Sequence, residues 1–126
     1  MNVRRISGDT LEILNGETVI VSLSEKLVNQ EMHIAVCGEI KNEVAHEFED
    51  ELMAAFSVCN VVRLDLSKVS YIASIAMRAL LSVQQIIDEN EAAALIIVGM
   101  SSEVKETFDA SGFLDILTIE EQGGGV

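Results

Sequence analysis

The 126-residue chain contains no proline, two cysteines and only 4% aromatic residues. Its longest apolar run, residues 92–99, is much shorter than the roughly 20 residues that a membrane-spanning helix requires. We therefore expect that run to be a buried strand. The cysteines, Cys37 and Cys59, are far apart and fall at or beside predicted strands. We expect both to be reduced, buried thiols rather than a disulfide.

Basic residues are scarce. The sequence has 8 Lys and Arg and 21 Asp and Glu, which gives a formal net charge of −13. Such a surface repels phosphate backbones and anionic lipids, so we predict no nucleic-acid partner and no direct membrane insertion. A partner with a basic patch would be attracted, although a role in solubility alone would also explain the acidity. The first ten residues contain two arginines without a following apolar core, so we expect no secretory signal and a cytoplasmic location.

With 49% hydrophobic and 23% charged residues, the chain has the composition of one globular domain. Residues 1–16 are weakly patterned apart from a short alternation that ends in Asn15-Gly16, a strong turn signal. Residues 17–23 follow as a strand, so residues 1–16 are predicted to be an N-terminal extension or a hairpin strand. The next strand is predicted over residues 31–38.

Beyond residue 40 the apolar residues recur alternately with helical and with strand periodicity. The expected elements are a helix over residues 42–56, a strand over 60–66, a turn at Ser67 and Lys68, a helix over 74–90 and a strand over 93–99. A third helix is expected to begin at the serine pair Ser101 and Ser102 and to end at Gly112. A last strand is predicted over residues 115–119, followed by a flexible tail over residues 121–126.

This order of elements predicts a single α/β domain with a mixed, mostly parallel central sheet flanked by helices. The strand over residues 93–99 is apolar on both faces, as expected of a central parallel strand. In such sheets the loops that leave the carboxyl ends of the strands gather along one edge, where binding sites form. The segments expected at that edge are Gly38–Lys41, Ser67–Ala73 and Gly99–Ser102.

Residues that typically bind metals or nucleotides do not form a recognisable site. His33 and Cys37 lie four residues apart on a predicted strand, but two ligands do not make a metal site. His33 is therefore predicted to be a buried, hydrogen-bonded histidine. The glycine-containing segments 38–44 and 99–105 lack the spacing of a phosphate-binding loop. We predict neither a metal nor a cofactor.

Ser74 lies where a short polar segment turns into a long apolar helix. A nucleophilic serine on such a turn needs flanking glycines and a later histidine, but the glycines are missing and both histidines precede Ser74. Ser74 is instead predicted to be the N-cap of the helix. A helix N-terminus also tolerates a phosphate, and Arg78 would lie one turn away. Ser74 as a helix cap and Ser74 as a switch are compatible predictions.

Three segments, residues 37–52, 64–81 and 104–119, resemble the STAS domain in their order and spacing. This fold is shared by bacterial anti-sigma factor antagonists and by the tails of sulfate transporters. The middle segment is similar to the family pattern of an apolar strand, Asp-Leu-Ser, a short turn and a Tyr-Ile-x-Ser motif that opens a helix. The residues that fit this pattern are Asp65, Leu66, Ser67, Tyr71, Ile72, Ser74 and Arg78. The resemblance covers residues 17–120, which we predict to be the STAS domain.

The resemblance implies a regulatory protein and not an enzyme. An antagonist of this family binds an anti-sigma factor that is also a serine kinase, and the sigma factor is thereby released. Phosphorylation of the acceptor serine breaks the complex, and a serine phosphatase restores it. Ser74 occupies the acceptor position. The partner-binding residues that the resemblance implies are Lys41, Asn42, Tyr71, Ala73, Ser74, Ile75 and Arg78.

Two positions depart from the family pattern. Ala73 replaces the usual Asp or Ser before the acceptor, and Ala76-Met77 replaces the usual Gly-Leu after it. The first change removes a group that resembles a kinase contact, and the second adds a methyl group where the partner's backbone would approach. The alternative is therefore a STAS scaffold subunit of a lipid-transport or signalling complex that is not phosphorylated.

Overall fold

The computed structural model describes residues 2–6, 8–15 and 18–120. Within these residues the chain forms one seven-stranded sheet, whose strands lie in sequence order, and three α-helices. The strands are β1 (Asn2–Arg5), β2 (Thr10–Asn15), β3 (Thr18–Val28), β4 (Glu31–Ile40), β5 (Val61–Ile72), β6 (Ala94–Met100) and β7 (Thr118–Ile119). The helices are α1 (Ala45–Phe56), α2 (Ser74–Ile87) and α3 (Ser102–Ser111). Short 3-10 turns at Asn42–Val44 and Phe113–Asp115 precede α1 and follow α3.

The sheet is mixed. Strands β1 to β4 pair antiparallel as a meander, whereas β4 to β7 pair in parallel, with one α-helix in each parallel connection. The prediction of a single α/β domain with a mixed, mostly parallel central sheet flanked by helices is confirmed; in the described residues the parallel pairings are the three from β4 to β7. Gly16 of the predicted Asn15-Gly16 turn, residue 17 and the predicted tail over residues 121–126 lie outside the described residues. The predicted domain boundaries therefore stay predictions.

One face of the sheet carries the hydrophobic core. Along β4, Ile34, Val36 and Ile40 are buried, while His33 and the other alternate residues are more exposed. The buried side chains of the strands form one cluster with those of α1, α2 and α3. Each fully buried Leu, Ile or Phe side chain contributes about 1.5–3 kcal/mol to stability. Burial in this shared cluster therefore holds all three helices on the same face of the sheet.

The opposite face of the sheet has no helix on it in the described part of the chain. His33 and Cys37 are exposed there, so the predicted burial of these two side chains is wrong, whereas the prediction that Cys37 and Cys59 are free thiols rather than a disulfide is confirmed. Cys59 is half-buried, and its thiol donates to the carbonyl oxygen of Ala55 at 3.2 Å. Strand β6, which we expected at the centre, lies second from the sheet edge, and its Val98 is only half-buried on the open face.

Strand β5 is longer than predicted, because Ser67 and Lys68 continue the strand and do not form a turn. Two register shifts interrupt its pairing with β4, and the carboxylate of Asp65 accepts the backbone N–H of Ser67 at 2.9 Å. Such irregularities break the strict alternation of a strand. Ser67 and Lys68 are therefore both exposed, although Val69 and Ile72 beyond them are buried.

Helix α3 begins and ends as predicted. Ser101 is its N-cap, whose side-chain oxygen accepts the N–H of Val104 at 3.2 Å, and Gly112 ends it in the left-handed region with φ 75°. The predicted strand over residues 115–119 is shorter, because a 3-10 turn occupies its start and β7 pairs with β6 over two residues. Helix α2 ends three residues earlier than predicted.

Candidate functional site

The carboxyl ends of β4 and β5 form a two-stranded extension at one edge of the sheet. Ile40 pairs with Ile72 at its tip, whereas the pairing of β5 with β6 ends at Leu66. The extension therefore projects beyond β6. Gly38 has φ 124° at a register shift within it, a conformation that favours glycine. From this extension β5 passes through Ala73 directly into α2.

Ala73 determines where α2 begins. Its backbone N–H donates to the carbonyl oxygen of Ile40 at 2.8 Å, and its own carbonyl accepts the N–H of Met77 at 3.0 Å. Its extended conformation, φ −75° and ψ 155°, makes Ala73 the N-cap residue, without a side-chain cap. Ser74 is the first helical residue, so the prediction that Ser74 is the N-cap is wrong. Ala73 is 2% exposed, so its side chain, contrary to prediction, is not available to a partner.

Ser74 is exposed, and an exposed large side chain lies on either side of it in the sequence. Tyr71, at the end of β5, and Ile75, the next residue of α2, are each 50% exposed. Arg78 is exposed one helical turn after Ser74, on the same face of α2. Three other predicted site residues, Tyr71, Ile75 and Arg78, are therefore exposed within four residues of Ser74 in the sequence.

The remaining predicted residues border the same surface. Lys41 and Asn42 line a shallow depression of about 350 Å³ together with Tyr71. Two further residues of that depression, Glu39 and Glu43, were not predicted as site residues. Glu39 pairs with Tyr71 across the β4–β5 extension, and only the register of these strands reveals that neighbourhood. The sequence signal for Glu39 was its position within the segment Gly38–Lys41, which we expected at the sheet edge.

The two histidines lie on different elements. His33 is exposed on the open sheet face, and the ring of His46, in the first turn of α1, is 3.3 Å from the carboxylate of Asp50. Among the described residues, no group of three or more His, Cys, Asp or Glu side chains is placed to hold a metal ion. Separately, none of the described helices has the length and apolar character to cross a membrane.

A comparison with protein families identifies the fold. The family model described as the STAS domain matches residues 25–123, which is most of the chain. The chain belongs to the STAS family. A comparison with curated proteins finds no matching sequence. The three segments that carry the resemblance, residues 37–52, 64–81 and 104–119, lie within the match, and the second contains the β5 end, Ala73 and the start of α2.

Solved structures share this fold. The STAS domain is similar to a putative anti-sigma factor antagonist from Thermotoga maritima, with a TM-score of 0.72, 19% identity and coverage of 82% of this chain and 89% of the other. An anti-sigma factor antagonist from Mycobacterium paratuberculosis matches with a TM-score of 0.69, 15% identity and coverage of 82% and 87%. The phosphorylated Bacillus cell fate determinant SpoIIAA matches with a TM-score of 0.60, 13% identity and coverage of 79% and 91%. These similarities establish the fold.

Proposed function

We propose that this STAS domain is an anti-sigma factor antagonist, a regulatory protein without catalytic activity that acts in the cytoplasm. It binds an anti-sigma factor with serine kinase activity, phosphorylation of Ser74 dissociates the complex, and a serine phosphatase restores it. The observation that carries the proposal is the exposed Ser74 at the start of α2, between two half-exposed apolar side chains. The partner-binding residues are Lys41, Asn42, Tyr71, Ser74, Ile75 and Arg78.

The physical basis is the contrast between the two states of Ser74. The unmodified serine is small and neutral, so the partner covers it while burying Tyr71 and Ile75. A phosphate adds about −1.5 to −2 charges, and its desolvation in an apolar interface is costly. The free domain accommodates the same phosphate, because the first-turn amides of α2 have no side-chain cap and the helix dipole favours an anion. Phosphorylation therefore favours the dissociated protein.

The test is phosphorylation by the serine-kinase anti-sigma factor of the same organism. The domain is incubated with that kinase and ATP, and phosphate is mapped by mass spectrometry. We expect one phosphate at Ser74, none in Ser74→Ala, and normal modification in Ser82→Ala, which removes another exposed serine of α2. Phosphorylation of Ser74→Ala to the same extent as the wild type would contradict a phosphorylation switch at Ser74.

Binding to the kinase separates the switch from a scaffold. Ser74→Asp places a negative charge at the acceptor, and we expect it to weaken kinase binding measured by calorimetry. Ser74→Asn, which has a similar size and no charge, is the matched control and should bind more tightly than Ser74→Asp. Full affinity in both variants would favour the unphosphorylated scaffold, in which the same surface binds a partner constitutively.

A further inference from the structure

A second cleft lies at the other end of the two core helices. It has a volume of about 280 Å³ and is bordered by the carboxyl-terminal ends of α1 and α2. Its lining includes the apolar residues Met53, Phe56, Ile86, Ile87 and Ala93 and the amide side chains of Asn60 and Asn90. Helix α2 has 14 residues, so this cleft is about 20 Å along the helix from Ser74. It is therefore separate from the surface proposed to bind the kinase.

The cleft presents apolar surface to solvent. Ile86 is 54% exposed at its edge, although the next residue, Ile87, is 5% exposed and belongs to the core. Met53 and Phe56 are only partly buried against the same core. A concave apolar surface with an exposed isoleucine at its edge is the kind of feature that binds an apolar side chain.

The surroundings of the cleft are anionic. The sequence contains no Lys, Arg or His over residues 47–62 or 79–104, the segments that supply its lining. Asp88, Glu89 and Glu91 are exposed immediately after α2. Neither α1 nor α2 has a basic residue in its last turn, so the negative ends of both helix dipoles add to these carboxylates. The cleft thus combines an apolar floor with an acidic rim.

We propose that this cleft is a docking site for a cationic amphipathic segment of another protein. An apolar side chain of that segment fills the space between α1 and α2, and its Lys or Arg side chains pair with the acidic residues after α2. Helix-in-groove recognition of this kind is common, and opposite charges speed the encounter and select the partner. A second copy of this chain is a poor occupant, since its net charge of −13 would meet the same acidic rim.

The probe for the test is a fluorescein-labelled 18-residue helical peptide with leucine on one face and lysine on the other. Its binding to the full chain is measured by fluorescence anisotropy at low salt, and chemical shifts of the Asn60 and Asn90 side-chain amides report where it binds. We expect Ile86→Ser to weaken binding at least tenfold. Combined Asp88→Asn, Glu89→Gln and Glu91→Gln substitution should weaken it by a similar factor. Ile116→Ser is the matched control, because Ile116 is 56% exposed elsewhere, and it should change binding less than twofold.

Three results would overturn the proposal. Equal effects of Ile86→Ser and Ile116→Ser would show that the peptide binds only through overall charge. Equal binding of a peptide with glutamate in place of lysine would show that the cleft binds apolar side chains whatever the charge of the peptide. Sedimentation of the unliganded chain as a dimer that Ile86→Ser dissociates would assign the cleft to a second copy. Thermal unfolding of each variant confirms that the substitutions leave the fold intact.

Discussion

The backbone N–H of Ala73 donates to the carbonyl oxygen of Ile40 at 2.8 Å, which bonds the end of β4 to the residue that opens α2. Ala73 is also buried and serves as the N-cap of that helix. The first of the two departures from the STAS pattern therefore faces the interior and not a partner, and the second, Ala76-Met77, is buried as well. Its contribution to the site is to hold Ser74 at the first helical position, with the first-turn amides lacking a side-chain acceptor.

A side-chain cap at this position should stabilise the fold. We expect Ala73→Ser to raise the free energy of unfolding by about 0.5–1 kcal/mol, because the serine oxygen accepts a first-turn amide that now has no side-chain partner. Urea denaturation measures the change. Ala79→Ser is the matched control, since Ala79 is buried inside α2 with no amide to cap, and it should destabilise the domain. Destabilisation of equal size in both variants would contradict a capping role at position 73.

The cap that α3 already has should show the reverse effect. The Ser101 hydroxyl accepts the N–H of Val104 at 3.2 Å and donates to the carbonyl oxygen of Val69, which joins α3 to β5. We expect Ser101→Ala to lower the free energy of unfolding by about 1–2 kcal/mol, because both hydrogen bonds are lost. Ser102→Ala, at the adjacent exposed position, should change it by less than about 0.5 kcal/mol. Similar losses in the two variants would rule out the cap as the cause.

The apolar contribution to kinase binding is tested at Tyr71. If the proposed function holds, Tyr71→Ala should lower the affinity for the anti-sigma factor kinase by about tenfold or more, since truncating a central tyrosine commonly costs over 1 kcal/mol. Because Tyr71 is 50% exposed, its removal should leave the free energy of unfolding nearly unchanged. Isothermal calorimetry gives the affinity. Ile116→Ser, with 56% exposure outside this surface, should bind as the wild type does.

Periodicity predicted most of the fold because it depends on burial on one side of an element. Val44, Phe48 and Leu52 recur at helical spacing, and the structure buries all three around α1. Strand periodicity over residues 60–66 likewise predicted the first part of β5. Periodicity does not say which face of a sheet the helices cover. His33 and Cys37 therefore appeared suited to burial, although they lie on the open face.

Local irregularities were harder to predict. Ser67 and Lys68 have the composition of a turn, but pairing with β4 and an Asp65 hydrogen bond keep them in β5. Ser74 is a residue type suited to an N-cap, yet the Ala73–Ile40 hydrogen bond places the cap one residue earlier. Both errors arise from hydrogen bonds that no residue type specifies alone. Ser74 and Arg78 are both exposed one helical turn apart on α2, as expected from their spacing in the sequence.

Glu25 on β3 lies beside a second carboxylate and one cation. Arg5 of β1 is 3.7 Å from the Glu25 carboxylate and 3.9 Å from that of Glu51 on α1, so the three side chains connect three elements. Burial raises the pKa of Glu25 from 4.5 to about 7, and its hydrogen bond to Glu51 and the charge of Glu51 add to the rise, while Arg5 opposes it. Glu25 therefore holds a proton at mildly acidic pH that it releases near neutrality.

This proton should make the stability of the domain depend on pH. Because the folded-state pKa of Glu25 exceeds the unfolded value of 4.5, its contribution to stability is fully present below about pH 4.5 and is lost as the pH rises through about 7. Glu25→Gln mimics the protonated form, so its stability relative to the wild type should increase by about 1–3 kcal/mol between pH 5 and pH 8. Urea denaturation across this range measures it. Glu106→Gln, on the exposed side of α3, should follow the wild type, and a Glu25→Gln curve parallel to both would exclude the raised pKa.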